Sequence, residues 1–243
     1  MPTTTISRRT FEGLILSAGT VALGAGDKRD DLEPFHWARV KFNNIGETVD
    51  KWNVWPQSDI FLMEELKRCT GLNIDPNWYV ASLEDLNEMC KFPFLFMTSD
   101  GEFEFTPTEQ ENLVEYLKRG GFLLVDDCVA NGEYRIDAFF IDFKAKIEKL
   151  FGRRMTPLPN DHEIYHSFYD LPNGMPYVQG IQHGGHALFI DGRMSIFLSP
   201  TDIHCGWHGQ WERSVNGYGM YSDRGCKEAT QLGINILMYV MTH

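Results

Sequence analysis

Two short, uninterrupted apolar runs, Phe92-Pro93-Phe94-Leu95-Phe96-Met97 and Phe122-Leu123-Leu124-Val125, flank the clearest helix start in this chain. Runs without polar alternation are expected of strands buried on both faces. Between them, Thr106-Pro107-Thr108-Glu109 supplies a threonine cap, a proline in the first turn and a glutamate that reaches back to the cap. That helix carries Leu113, Tyr116 and Leu117 and stops at Gly120-Gly121. Strand, helix and strand joined by short connections form a right-handed crossover, which makes the sheet largely parallel with helices on both faces.

The same alternation runs along the chain from the first strand expected, His36 to Phe42. Ser58 is expected to cap a helix whose stripe is Ile60, Phe61, Met63 and Leu66, with Gly71 ending it. Trp78-Tyr79-Val80 reads as a short strand, and Ser82 with Asp85 as the opening of a short helix. A helix is expected over Phe139–Phe151 and an apolar closing helix over Gln231–Met241. Between them, Ala187–Ile190 and Met194–Leu198 form a hairpin about Asp191-Gly192, an antiparallel edge. The expectation is one three-layer α/β domain over residues 27–243, with a mostly parallel sheet and antiparallel edge strands.

Residues 1–26 read as an address rather than as fold. Arg8-Arg9 with Phe11, followed by a mild apolar run to Gly26, resembles a twin-arginine export signal. The best cleavage match, Ala22-Leu23-Gly24, is poor, so an uncleaved tether to the periplasmic side of an inner membrane is expected. Residues 11–26 would make that membrane contact, spanning about 24 Å as a helix against a hydrocarbon core of about 30 Å. The formal charge of −12 disfavours nucleic acid and anionic lipid, and suits a cationic protein surface or a metal ion. Five cysteines without a Cys-x-x-Cys exclude a zinc knuckle or a haem attachment site; Cys205 and Cys226 could pair in an oxidising compartment.

Several segments together resemble the bacterial domain of unknown function 4159. They are Ala38–Phe42, Pro93–Met97, Leu117-x-x-Gly120-Gly121-Phe122-Leu123-Leu124-Val125-Asp126-Asp127, Leu158-Pro159-x-Asp161-His162 and Gly233-Ile234-Asn235. The resemblance runs from about residue 34 to the C-terminus and is most specific at the Gly-Gly-Phe-Leu-Leu-Val-Asp-Asp run. It implies a fold similar to class I glutamine amidotransferases, flavodoxin-like in outline, and brings no activity with it. Amidotransferases place a cysteine on the turn after a central strand. Here that turn reads Thr98-Ser99-Asp100-Gly101, so their chemistry does not carry over.

Two motifs bear on chemistry. His162-Glu163-Ile164-Tyr165-His166 has the H-E-x-x-H spacing, which on a helix places two imidazoles on one face for zinc. Pro157, Pro159 and Pro172 leave that helix little room, and a loop with packed aromatics is the stronger expectation. Asp126-Asp127 end a buried strand, where open α/β sheets bind ligands. Asp161-His162 and Asp202-x-His204 could converge there. Asp126, Asp127 and His162 are thus the catalytic candidates. Asp127, His162, Asp202 and His204 are the set that would suit a divalent metal able to activate water. Trp207, Trp211, Tyr218 and Tyr221 lie in an aromatic, glycine-rich stretch and are candidate interface anchors.

Two functions follow as expectations. The first is a non-catalytic accessory subunit on the periplasmic face of a respiratory or photosynthetic membrane complex, tethered by its export helix. The second is a metal-assisted hydrolase or sugar-modifying enzyme on the amidotransferase-like scaffold.

Overall fold

A computed structural model describes residues 33–43, 51–129, 137–207 and 223–243. Within them the chain alternates strands and helices. They are β1 (Phe35–Lys41), α1 (Gln57–Cys69), β2 (Ile74–Ser82), α2 (Leu86–Met89), β3 (Phe94–Ser99), α3 (Pro107–Lys118), β4 (Phe122–Asp127) and α4 (Ala138–Phe151). After these come β5 (Thr156–Pro157), β6 (His186–Ile190), β7 (Arg193–Ser199) and α5 (Asp223–Thr242), with 3-10 turns at Lys51–Asn53 and Glu163–Tyr165. The strands form one sheet in the order β2-β1-β3-β4-β7-β6-β5. β2, β1, β3, β4 and β7 run parallel, and β6 and β5 continue antiparallel from β7. The result is a three-layer, flavodoxin-like α/β fold with an antiparallel edge.

Each face of the sheet carries its own core. On one, Trp37, Phe94, Phe96, Phe122, Leu124 and Phe197 pack against Leu62, Leu66, Leu232 and Ile236 of α1 and α5. On the other, Leu95, Met97, Leu123, Val125, Ile196 and Leu198 meet Leu113, Leu117, Phe139 and Phe143 of α3 and α4. Residues i and i+1 of β3, β4 and β7 therefore go to opposite layers, which explains their unbroken apolar character.

The strongest local signals appear as expected. Thr106 accepts from Glu109 N at 3.2 Å, and Glu109 accepts from Thr106 N at 2.8 Å, closing the capping box of α3. The β6–β7 turn places Asp191 and Gly192 at φ 52° and 80°, the paired positive dihedrals of a type I′ hairpin. Gly121 is required for contact: a Cβ there would lie 2.3 Å from the buried Tyr116 ring, whose hydroxyl donates to Phe92 O and Phe122 O. Gly121→Ala is expected to destabilise the protein by about 1–3 kcal/mol through overpacking, read by urea denaturation.

Five local expectations are corrected. Pro56, with φ −62°, precedes α1 and supplies its entry. Ser58 lies buried inside the first turn and does not cap it. The buried stripe of α1 contains Leu62, Met63 and Leu66, whereas Phe61 is 36% exposed. Thr70, rather than Gly71, ends that helix by turning to extended backbone while its N–H bonds Leu66 O at 3.0 Å. Asp85 alone caps α2, accepting from Asn87 N and Glu88 N, while Glu88 reaches back to Ser82 N. β2 is also longer than Trp78–Val80; as an edge strand it tolerates Pro76, which obscures its start in sequence.

Candidate functional site at the carboxyl edge of the sheet

The parallel strands β3, β4 and β7 end side by side, with Thr98 opposite Asp126, Ser99 opposite Asp127, and Asp126 opposite Ser199. Alternation sends Asp126 into the α1/α5 layer and Asp127 into the α4 layer. Asp126 is fully buried. It accepts from Ile203 N at 3.1 Å and His204 N at 2.9 Å, and so anchors the helical turn 203–207 to the strand end. Burial, reinforced by Asp202, pushes its carboxyl well above the ordinary carboxylate range.

Asp202 begins that turn with φ 56°, a left-handed conformation that aspartate tolerates better than most residues. Its carboxylate accepts from the Gln179 side-chain amide, from Val129 N at 3.4 Å and from Cys205 N at 3.4 Å. Beside it lie Cys128, which follows β4, and Cys205 of the turn. Donor atoms of Cys128, Asp202 and Cys205 all lie within 4.8 Å of one another. Both thiols are raised above the usual range. At Cys205 the hydrogen bond with Cys128 dominates, followed by burial. At Cys128 that same bond lowers the value, and burial with Asp202 outweighs it. Cys205 therefore faces Cys128 rather than Cys226, the pairing the spacing left open, and the described residues hold no disulfide.

On the other side of the sheet, Asp127 accepts from Phe140 N at 3.2 Å, at the start of α4. Burial pushes its carboxyl up to about 8, with Asp202, Asp137 and Asp100 adding to the rise. Asp137, just before α4, meets His183 Nε2 at 3.0 Å. The His183 ring lies flat on Phe140, with centroids 4.7 Å apart and planes 2° apart, and His186 approaches the same ring edge-on. Phe140, Lys144, Glu148, His183 and His186 line an open groove of about 370 Å³.

The remaining candidates are dispersed. His204 is fully buried, with its ring turned toward β1: Nε2 lies 2.7 Å from Arg39 Nη2 and 3.2 Å from Asp59 Oδ1. Burial holds this imidazole below its usual range. Arg39 and Asp59 form a bidentate pair; Trp37 Nε1 donates to Asp59 at 2.9 Å, and Arg39 also donates to Trp52 O and Val54 O. His162 lies elsewhere. It accepts from Ile164 N at 3.2 Å and packs on Tyr239 near the end of α5, with Glu163, Asp161 and His243 as its charged neighbours. Trp207, by contrast, bonds Ala229 O, ten residues and about 15 Å earlier along the same helix. The H-E-x-x-H stretch is a single 3-10 turn at Glu163–Tyr165 with no helix to align its histidines; His166 bonds Asp170 at 2.6 Å.

Trp207 is 6% exposed and packs against Trp37, Phe96 and His204, so it is a core residue of this chain. Trp211, Tyr218 and Tyr221 lie outside the described residues, as do Arg8, Arg9, Phe11 and the segment 11–26. Among the described residues no helix is long and apolar enough to cross a membrane.

The sequence reading missed Cys128, Cys205, Gln179 and Asp137 as site residues. A usable signal existed for the cysteines: Asp126-Asp127-Cys128 and Asp202-x-x-Cys205 place each thiol beside an acid already assigned to this edge.

An open, mostly parallel sheet with an acid- and thiol-lined carboxyl edge defines a flavodoxin-like α/β domain. Residues 36–241 match the model of the domain of unknown function DUF4159, and the chain belongs to that family. No curated protein matches the chain significantly.

Proposed function

We propose that this chain is a non-catalytic accessory subunit of a respiratory or photosynthetic membrane complex. It docks on the periplasmic face and is tethered by an uncleaved twin-arginine export helix. Its domain is an amidotransferase-like scaffold used as a docking body. The observation that supports this reading is how the acids at the ligand edge are engaged. Asp126 gives both oxygens to backbone amides of the 203–207 turn, and Asp202 caps the same turn while holding Gln179. These carboxylates hold the polypeptide itself, and the turn after β3 carries Thr98-Ser99-Asp100-Gly101 in place of a nucleophilic cysteine. A net charge of −12 suits a cationic partner surface.

The test is purification of the tagged full-length chain from solubilised membranes, with mass spectrometry of its N-terminus and companions. A retained 11–26 segment and a fixed set of stoichiometric membrane proteins are expected. A soluble product starting at residue 25 or later, without companions, rejects the reading.

A metal-assisted hydrolase or sugar-modifying enzyme is the second reading. What favours it is His183, which lines the 370 Å³ groove and pairs with Asp137 behind it, since an imidazole oriented by a carboxylate is a common general base. Turnover of ester or glycoside substrates that His183→Ala reduces by about 10²–10⁴-fold would establish it. No turnover by the wild type rejects it.

A further inference from the structure

We propose that Cys128, Asp202 and Cys205 form a binding site for a borderline-soft divalent cation of the zinc type, clamping the end of β4 to the turn that follows β7. The inference goes beyond the subunit reading and stands whether or not that reading holds.

The geometry is close to what such an ion requires. Zinc binds thiolate sulfur at about 2.3 Å and carboxylate oxygen at about 2.0–2.2 Å, so tetrahedral ligand atoms sit about 3.3–3.8 Å apart. The three donors here already lie within 4.8 Å of one another, and small side-chain rotations close the difference. Asp202 precedes the 203–207 turn and accepts from Cys205 N at 3.4 Å, which holds its carboxylate beside Cys205. That turn is fixed from below by Asp126, through Ile203 N and His204 N. The third donor arrives from another strand, so an ion held here joins two segments 74 residues apart in sequence.

The surroundings match a ligand shell. The Gln179 amide and Val129 N both donate to Asp202 Oδ2, and Cys205 N donates to Oδ1 at 3.4 Å. Outer hydrogen bonds of this kind orient a metal-binding carboxylate. Oδ1 keeps a lone pair for the ion. Two sulfurs in a set of three favour zinc or other soft cations over magnesium or calcium, which take oxygen donors. Cys128 and Asp202 are buried while Cys205 is partly exposed, which gives the ion an entry side. Three protein donors leave a fourth position for water or an external donor.

The test uses the full-length protein, reduced and stripped with a chelator under argon, then titrated with Co²⁺. One equivalent is expected to produce tetrahedral visible bands and a thiolate-to-cobalt charge-transfer band. Zn²⁺ should displace the cobalt and Mg²⁺ should not. Cys128→Ser and Cys205→Ser should each remove most of the charge-transfer intensity, whereas Cys69→Ser should leave it intact. Asp202→Asn should weaken Co²⁺ binding by more than the about 10–100-fold that loss of an outer hydrogen-bond partner costs. Should a variant fail to fold, the wild type still decides: Zn²⁺ should protect Cys128 and Cys205, and not Cys69, from alkylation mapped by mass spectrometry. Absence of a charge-transfer band overturns the proposal, as does a band that survives both serine variants. Isolation of a Cys128–Cys205 disulfide from protein prepared with Zn²⁺ present also overturns it.

Discussion

Asp59→Ala is expected to cost about 3–5 kcal/mol of folding stability. Arg39 is 1% exposed and, among the described residues, its charge is balanced by Asp59 through bidentate hydrogen bonds; Trp52 O, Val54 O and His204 Nε2 satisfy its remaining donors. Removing the carboxylate leaves a guanidinium in a site built of Trp37, Phe96 and Trp207, and orphans Trp37 Nε1 as well. Replacing both partners by apolar residues of similar volume should recover most of the loss, because the pair's desolvation cost disappears with it. Acid provides an independent readout. Burial raises the Asp59 carboxyl, but the Arg39 charge and the hydrogen bonds from Arg39 outweigh it, so the folded value lies below the ordinary 3.8. The unfolded chain therefore takes up this proton first as pH falls. The contribution of Asp59 is complete above pH 3.8 and drains away below it. Urea denaturation across that range should show the difference between wild type and Asp59→Asn narrowing only below pH 3.8. A difference that stays constant through acid would mean the pair is not what holds Arg39.

That network marks where the sequence stops being legible. The α3 capping box and the Asp191-Gly192 turn could be read because their partners lie within three residues, and the β4 strand because burial on both faces writes itself as an apolar run. The ligand edge could be placed as well, since a parallel crossover fixes which strand ends carry Asp126 and Asp127. Arg39 could not be paired with Asp59 and His204: the contacts span 20 and 165 residues and depend on β1 lying beside β3 with the 203–207 turn above them. His162 failed for the opposite reason. Its motif is purely local, but the zinc reading needs an α-helix, and between Pro159 and Pro172 the chain forms only a 3-10 turn at Glu163–Tyr165. Cys128 and Cys205 were considered for disulfide arithmetic alone. Their proximity is created by β4 pairing with β7 and has no trace in their spacing.

Trp207→Ala is expected to destabilise the isolated protein by about 3–5 kcal/mol. An aromatic stretch rich in glycine makes Trp207 look like an anchor for a partner, and an anchor truncated to alanine would lower affinity while leaving the free protein stable. The geometry predicts the reverse. The indole meets Trp37, Phe96 and His204 at centroid distances of 5.4–5.8 Å, and its Nε1 donates to Ala229 O at 3.1 Å. Gly206 and Gly233 let the helices close around it: a Cβ at Gly206 would meet Ala229 at 2.7 Å, and one at Gly233 would meet Leu62 at 2.8 Å and Trp207 itself at 3.1 Å. Truncation would open a cavity beneath the 203–207 turn, the element that Asp126 and Asp202 hold at the ligand edge. The loss should therefore appear twice, as a lower urea midpoint and as weaker Co²⁺ binding at Cys128, Asp202 and Cys205. Trp207→Phe keeps most of the volume and loses the hydrogen bond, and should retain a larger share of both. A variant with unchanged stability would return Trp207 to the surface and remove the aromatic support from this edge of the sheet.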